Sequence, residues 1–405
     1  MRLNKTAEKI YEALAYIPVI DTHEHMLPPE FHTSMNYSFF NLMIPYAQFD
    51  LVSAGMSPKY MWQNVLSEEE VKECYALFRP YWKFVKYGAY GTHVRHVLQE
   101  NFGIDDITDD NYLRIGELLN ATRTPTHYAD VIKKECNIKY VLNQAGNYHG
   151  YSKEDSYFIP HADMLRSGVI EDIKELRERK ASPTIDDHLD MLLERIKEGK
   201  DYGAKLVKYD ASCFLHKEDY ALAKHQFEKL KRGEETDSEV LQSFLYRRTF
   251  PYVRELSLVA AVHTGVWDNI NRKSPLLLFS VVQENPDIRF DIYHMGMPFT
   301  GECAFLGKNF PNAYLDLCWS HIVSPHMLVG ALNEWLDLVP VNKILAFGGD
   351  HATLPENIKT HLRAAKENLA FVFGKRVDDG KMNTLEATEI IKCWFYDNPK
   401  EVYGL

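Results

Sequence analysis

The sequence predicts an α/β protein built as a (β/α)8 TIM barrel with a helical insertion after the first strand, and three observations predict it. Eight short apolar runs bounded by turn residues are spread along the 405 residues, and helical periodicity fills most of the intervals between them. Histidine or aspartate stands where four of those runs stop. Repeated strand–helix units call for a parallel sheet, and eight of them favour a closed barrel over an open sheet.

The chain starts with an amphipathic helix carrying Lys5, Glu8 and Lys9, followed by IPVIDTHEHM, residues 17–26. Ile17 to Ile20 read as a buried strand, the first of the barrel. Side chains alternate along a strand, so His23 and His25 project to one side at its carboxyl end with Asp21 in phase behind them, while Glu24 points to the other face and reads as structural. Two imidazoles so placed can reach one cation; the competing reading is a structural or surface pair, because the spacing alone is only moderately specific.

The organisation read from here is residues 1–26 as first helix and first strand, 27–126 as an inserted helical, aromatic lid subdomain, and 127–405 as the remainder of the barrel. The insertion contains MWQNVL and FRPYWKFVKYGAYGTHVRHVLQENFGI, and a stretch of that length must hold helices of its own. Most of its rings are expected to pack against one another. Arg79, His93 and Arg95 are its candidates for meeting an anionic substrate, against the alternative of a solvated helix face, and its aromatic content suggests a subunit interface in a homo-oligomer.

Beyond Asp130 the expected strands are Lys139 to Leu142, Tyr157 to Pro160, Lys205 to Tyr209, Leu258 to His263, Arg289 to His294, Ala313 to Leu317 and Lys343 to Phe347. Helices are expected over Asp187 to Lys200, Glu239 to Glu255, Pro275 to Gln283 and Pro325 to Leu338. His263, His294 and Asp350 stand where the fifth, sixth and eighth strands stop. All carboxyl ends of a parallel barrel open on one face, so these three converge with His23 and His25.

Composition removes several function classes. A 45% hydrophobic content fits a large core, and Lys+Arg 46 against Asp+Glu 57, net charge -11, argues against a nucleic-acid surface. The six cysteines, Cys74, Cys136, Cys213, Cys303, Cys318 and Cys393, have no C-x-x-C spacing and read as free thiols of a reducing compartment. No segment reaches the roughly 18 apolar residues of a membrane span, and the expected location is cytoplasmic.

The pieces VIDTHEHM, AAVHTG, NPDIRFDIYHMG, NAYLDL, ILAFGGDH and ATEIIKCWFYDNPKEVYGL resemble, in that order, the amidohydrolase superfamily. The likeness is to its branch with metal-dependent decarboxylases and, more distantly, to uronate isomerase, whose inserted segment YGTHVRHVLQENFGI looks similar to. The resemblance implies a distorted (β/α)8 barrel and one divalent metal, zinc or a similar ion, held by His23, His25, His263 and Asp350, with His294 beside the water or substrate. Lys208 stands near the end of the fourth strand, where binuclear members carry a metal-bridging carboxylated lysine; in the branch resembled here a structural or substrate-binding role is expected. The isomerase pattern has serine and arginine after its last-strand aspartate, where this chain has His351 and Ala352.

On this reading the protein is a metal-dependent hydrolase of a small amide, lactone or ester bearing a carboxylate. Asp350 both binds the metal and moves a proton, His294 orients water or substrate, and Lys208, Arg79, Arg95 and His93 are candidate substrate contacts. Two alternatives stand beside it: decarboxylation or aldose–ketose isomerisation, and a non-catalytic barrel stabilised by its metal.

Overall fold

The computed structural model describes residues 2–144, 157–164, 168–266 and 269–405. Its strands are β1 (Val19–Glu24), β2 (Ile138–Asn143), β3 (Phe158–Pro160), β4 (Leu206–Asp210), β5 (Val259–His263), β6 (Phe290–Tyr293), β7 (Ala313–Asp316) and β8 (Ile344–Leu345). Each overlaps an expected strand, β1 running on to Glu24 and β8 being shorter than expected, and every pairing is parallel. Of the expected helices, Glu239–Glu255 and Pro325–Leu338 are found with those bounds, while the one from Pro275 opens as a 3-10 turn before Leu278–Glu284.

The ladder runs in two arcs, β1-β2-β3 and β4 to β8 in order. At one joint β3 stops at Pro160, which has no N–H to offer, and Ala162 takes over by pairing with Val207 and donating its N–H to Leu206 O at 2.8 Å. At the other, β8 gives way to Gly348 and Gly349, and single bonds bridge the gap: Thr22 N to Phe347 O at 3.0 Å and Asp350 N to His23 O at 2.8 Å. A Cβ on Gly349 would lie 1.9 Å from Glu24 Oε1, so any other residue here would push the Glu24 carboxylate aside. Glu24, read as structural, accepts the His351 N–H at 2.5 Å beneath it.

Strand periodicity decides what faces the axis. Leu206, Val259, Ala261 and Tyr293 join Ile20, Leu142, Ile159 and Leu345 in an interior cluster that Val402 and Tyr403 also enter. Lys208 is in phase with Leu206, and His263 with Val259 and Ala261. The alternate residues Val207, Tyr209, Ala260, Val262 and Ile292 pack outward with helix positions such as Leu328, Leu332 and Trp335, spaced as one helical face.

Residues between β1 and β2 form helices at Glu68–Val85, Ala89–Phe102 and Tyr112–Ala121 around a second apolar cluster that includes Phe39, Tyr75, Phe78, Trp82, Leu98 and Leu119. The Ser67 side chain and the Glu70 carboxylate cap the first of these reciprocally. This segment meets the barrel at the β8 end: the Tyr46 hydroxyl donates to Asp350 O, and that of Tyr37 to Thr353 O at 3.3 Å. Among the described residues no helix is long and apolar enough to cross a membrane, and all six cysteines are free.

Candidate metal centre and pocket

At the carboxyl ends of β5 to β8 the backbone repeatedly turns left-handed. The residues are Gly265 and Val266 after β5, His294 after β6, Trp319 after β7 and Asp350 after β8. A non-glycine residue there carries strain, which the surrounding packing must hold. For His294, with φ 69°, the turn redirects a side chain that strand alternation would otherwise send away from the axis.

These turns bring His23, His25 and Asp350 together, with ligand atoms within 4.8 Å of one another; a second group joins His294, Cys318 and Asp350. His23 Nε2 and His25 Nε2 each lie 3.3 Å from Asp350 Oδ1, close to the edge of about 3.4 Å expected between ligands of a tetrahedral zinc site. His294 Nε2 is 3.8 Å from Asp350 Oδ2.

Tautomers follow from the partners. His25 Nδ1 is 3.2 Å from Gln144 O, and a carbonyl only accepts, so Nδ1 carries the hydrogen and Nε2 of the neutral ring turns a lone pair toward Asp350. His294 Nδ1 likewise donates to Cys318 O at 3.1 Å, which leaves its Nε2 to accept from His263 Nδ1 at 3.0 Å. His263 Nε2 is then an acceptor, buried without a partner. Acceptor atoms converging on a carboxylate call for a cation, so the donor set fits a divalent metal.

The electrostatics agree. Burial, reinforced by Lys208, holds the His23 imidazole well below its usual range, and burial lowers His294 to about 4, so both stay neutral. Burial alone would raise the Asp350 carboxyl, but its contacts with His23 and then His25 hold it well below the usual carboxylate range. Lys208 Nζ sits 3.0 Å from His23 Nε2 and 4.3 Å from the centre of the Tyr293 ring, and burial lowers its pKa.

The group opens into a cavity of about 490 Å3 lined by His23, His25, His263, Asp350, Lys208 and Ala352, together with Pro45, Tyr46 and Trp62 from the inserted segment. His263 lines this cavity but stands outside the three-residue group of His23, His25 and Asp350. Arg79, Arg95 and His93 are not brought to it. Arg79 pairs with Asp109 at 2.9 Å on the surface, its side chain 63% exposed, and Arg95 Nε donates to Asp105 O at 3.1 Å. His93 and Arg95 are about 200° apart around one helix, so they cannot face one pocket; His93 instead stacks at 5.5 Å on His351 behind the site.

Sequence reading passed over His161, buried just past β3, stacked at 5.2 Å on His23 and without a hydrogen-bond partner at either ring nitrogen. Its strand-end position was the same signal that marked His263. It also passed over Cys318, Gln144, Asp210 and Lys273; Asp210 shares the strand phase of Lys208, whereas no local pattern marks the other three.

The amidohydrolase family Amidohydro_2 matches residues 181–405. Protein fluG of Emericella nidulans is 27% identical over 178 residues, 42% of this chain; the chain spans only 20% of the length of that relative. Two solved structures share the fold over nearly the whole chain. The uronate isomerase of Thermotoga maritima has a TM-score of 0.77 at 15% identity, covering 99% of this chain and 98% of its own. The glucuronate isomerase of Caulobacter crescentus has a TM-score of 0.77 at 16% identity, covering 98% and 94%.

Proposed function

The chain belongs to the amidohydrolase family, and from that premise we propose that it is a metal-dependent hydrolase of a small amide, lactone or ester that bears a carboxylate. The observation that carries this reading is the left-handed turn that fixes Asp350 beside His23 and His25 at the mouth of the 490 Å3 cavity. His23, His25, Asp350 and His263 would hold the ion, zinc by its nitrogen and oxygen donors. A bound divalent ion supplies Lewis acidity, polarising a carbonyl and bringing the pKa of water to about 7.

The chain's own groups do the rest. Asp350 accepts a proton through one carboxylate oxygen and returns it to the leaving group; its lowered pKa keeps it ionised for the first step. His294, its Nδ1 held by Cys318 O, turns Nε2 from its His263 contact toward the attacking water or the substrate oxygen. Lys208 takes part of the substrate's negative charge. Residues 27–126 act as a lid whose Tyr46 and Trp62 narrow the pocket and limit water. The six free thiols, five of them buried, support a cytoplasmic setting.

A second reading, aldose–ketose isomerisation, is favoured by the whole-chain likeness to proteins that act, by their names, on uronates. Ala352, which lines the pocket where the isomerase pattern has arginine, favours the hydrolase. Metal-loaded protein assayed by NMR against lactones, N-acyl amino acids and hexuronates separates the two: release of a free acid is expected, and conversion of a hexuronate to its ketose would replace the hydrolase reading with the isomerase.

A further inference from the structure

We propose that Lys273 is a specificity-determining residue that binds a carboxylate of the substrate, remote from the bond that reacts. The inference rests on the cavity being the active site and narrows its substrate to organic acids.

Lys273 belongs to the loop after β5, and that loop is tied at its base. Gly265 N donates to Lys273 O at 2.8 Å, and Val266 N to Met297 O at 2.8 Å. Gly265 has φ +64°, and a Cβ there would lie 1.9 Å from Met297 O, so the backbone of this loop is pressed against the loop after β6. The lysine side chain is 16% exposed and lines the same cavity as Asp350 and Lys208. Its ammonium donates to Asp210 Oδ2 at 2.9 Å, and Asp210 Oδ1 is taken by the N–H of Ser212 at 2.9 Å and its hydroxyl at 2.6 Å.

An ammonium has three hydrogens to donate. Among the described residues Lys273 directs one, to Asp210, so two are left for a ligand in the cavity. Asp210 anchors and orients the ammonium, as a supporting group should in a preorganised site. Lys208 adds a second cation to the cavity; of its two carboxylates, Asp350 belongs to the group with His23 and His25, which leaves Asp210 to face Lys273. The surplus is one positive charge. That matches a carboxylate monoanion better than a phosphate monoester, which carries about -1.5 to -2 at neutral pH.

The test is binding of malonate, succinate, glutarate and adipate, and of the corresponding diamides, to the metal-loaded protein by isothermal titration calorimetry. At least one diacid is expected to bind and its diamide to bind more weakly. Lys273→Met should weaken the diacid by about 10- to 100-fold, the range of a lost charge-assisted hydrogen bond. Lys273→Arg should recover most of the loss, which a merely structural lysine would not require. Equal diacid affinity in wild type and Lys273→Met, no binding of any diacid, or tighter Lys273-dependent binding of inorganic phosphate would each overturn the proposal. The readout needs no turnover: Lys273-dependent diacid binding together with no cleavage of any carboxylate-bearing ester, lactone or amide would break the reaction assigned above and leave this inference standing, and hydrolysis of a neutral ester by wild type without diacid binding would do the reverse.

Discussion

Two groups of histidines flank the loop after β8, and they differ in what surrounds them. In front, His23, His25, His263 and His294 gather around Asp350 and a cavity of about 490 Å3. Behind, His351 Nε2 meets His361 Nδ1 at 3.1 Å, His93 stacks on His351, and His321 Nε2 donates to Ala346 O at 2.9 Å. The space beside His93 and His351 is about 10 Å3, room for one water at most. No carboxylate joins these rings in a ligand group among the described residues. Histidine number therefore says little; a carboxylate acceptor and an opening to solvent separate the front group from a packed polar layer, in which only some of the ring nitrogens are paired.

The largest effect should come from the front group. Asp350→Asn keeps an oxygen able to coordinate but cannot accept a proton at neutral pH, so turnover should fall toward the upper end of about 10² to 10⁴ while metal content, measured by elemental analysis, falls less. His294→Asn should cost turnover toward the lower end of that range with metal nearly intact. If Asp350→Asn keeps most of its turnover, the proton-transfer role is wrong; if His294→Asn empties the site, His294 is a ligand.

The rear group should answer in stability instead. His361→Phe leaves His351 Nε2 buried without its partner, and urea unfolding should show a loss of about 1–3 kcal/mol with metal content unchanged. Loss of metal from this variant would erase the distinction between the two groups.

A further effect on stability concerns pH. Burial lowers His321 to about 4, against about 6.5 in an unfolded chain. Between those values the unfolded state binds the extra proton, so the contribution is complete above about pH 6.5 and declines on acidification toward pH 4, by up to about 1.4 kcal/mol per pH unit. His321→Asn should flatten the urea midpoint across that window by one proton's worth; an unchanged slope would show that His321 titrates normally.

How much of this was legible follows from what kind of property each feature is. That a run of apolar residues forms a strand, and that His23, His263 or Asp350 stands at its carboxyl end, are local properties, and parallel barrel geometry turns them into convergence without further information. Lys208 was legible for the same reason, being in phase with Leu206 on one strand. The sequence by itself thus determined the eight strands, the end of the barrel where the candidate residues meet, and the pairing of His23 and His25 with Asp350. Only the tertiary structure decided that His263 hydrogen-bonds His294, that His93 packs behind the site while Arg79 and Arg95 stay on the surface, and that Lys273 and His161 belong near it. Loop and helix side chains have no fixed phase relative to the barrel axis; their direction is set by the elements they pack against, and those contacts join segments too far apart in the chain for any local pattern to record.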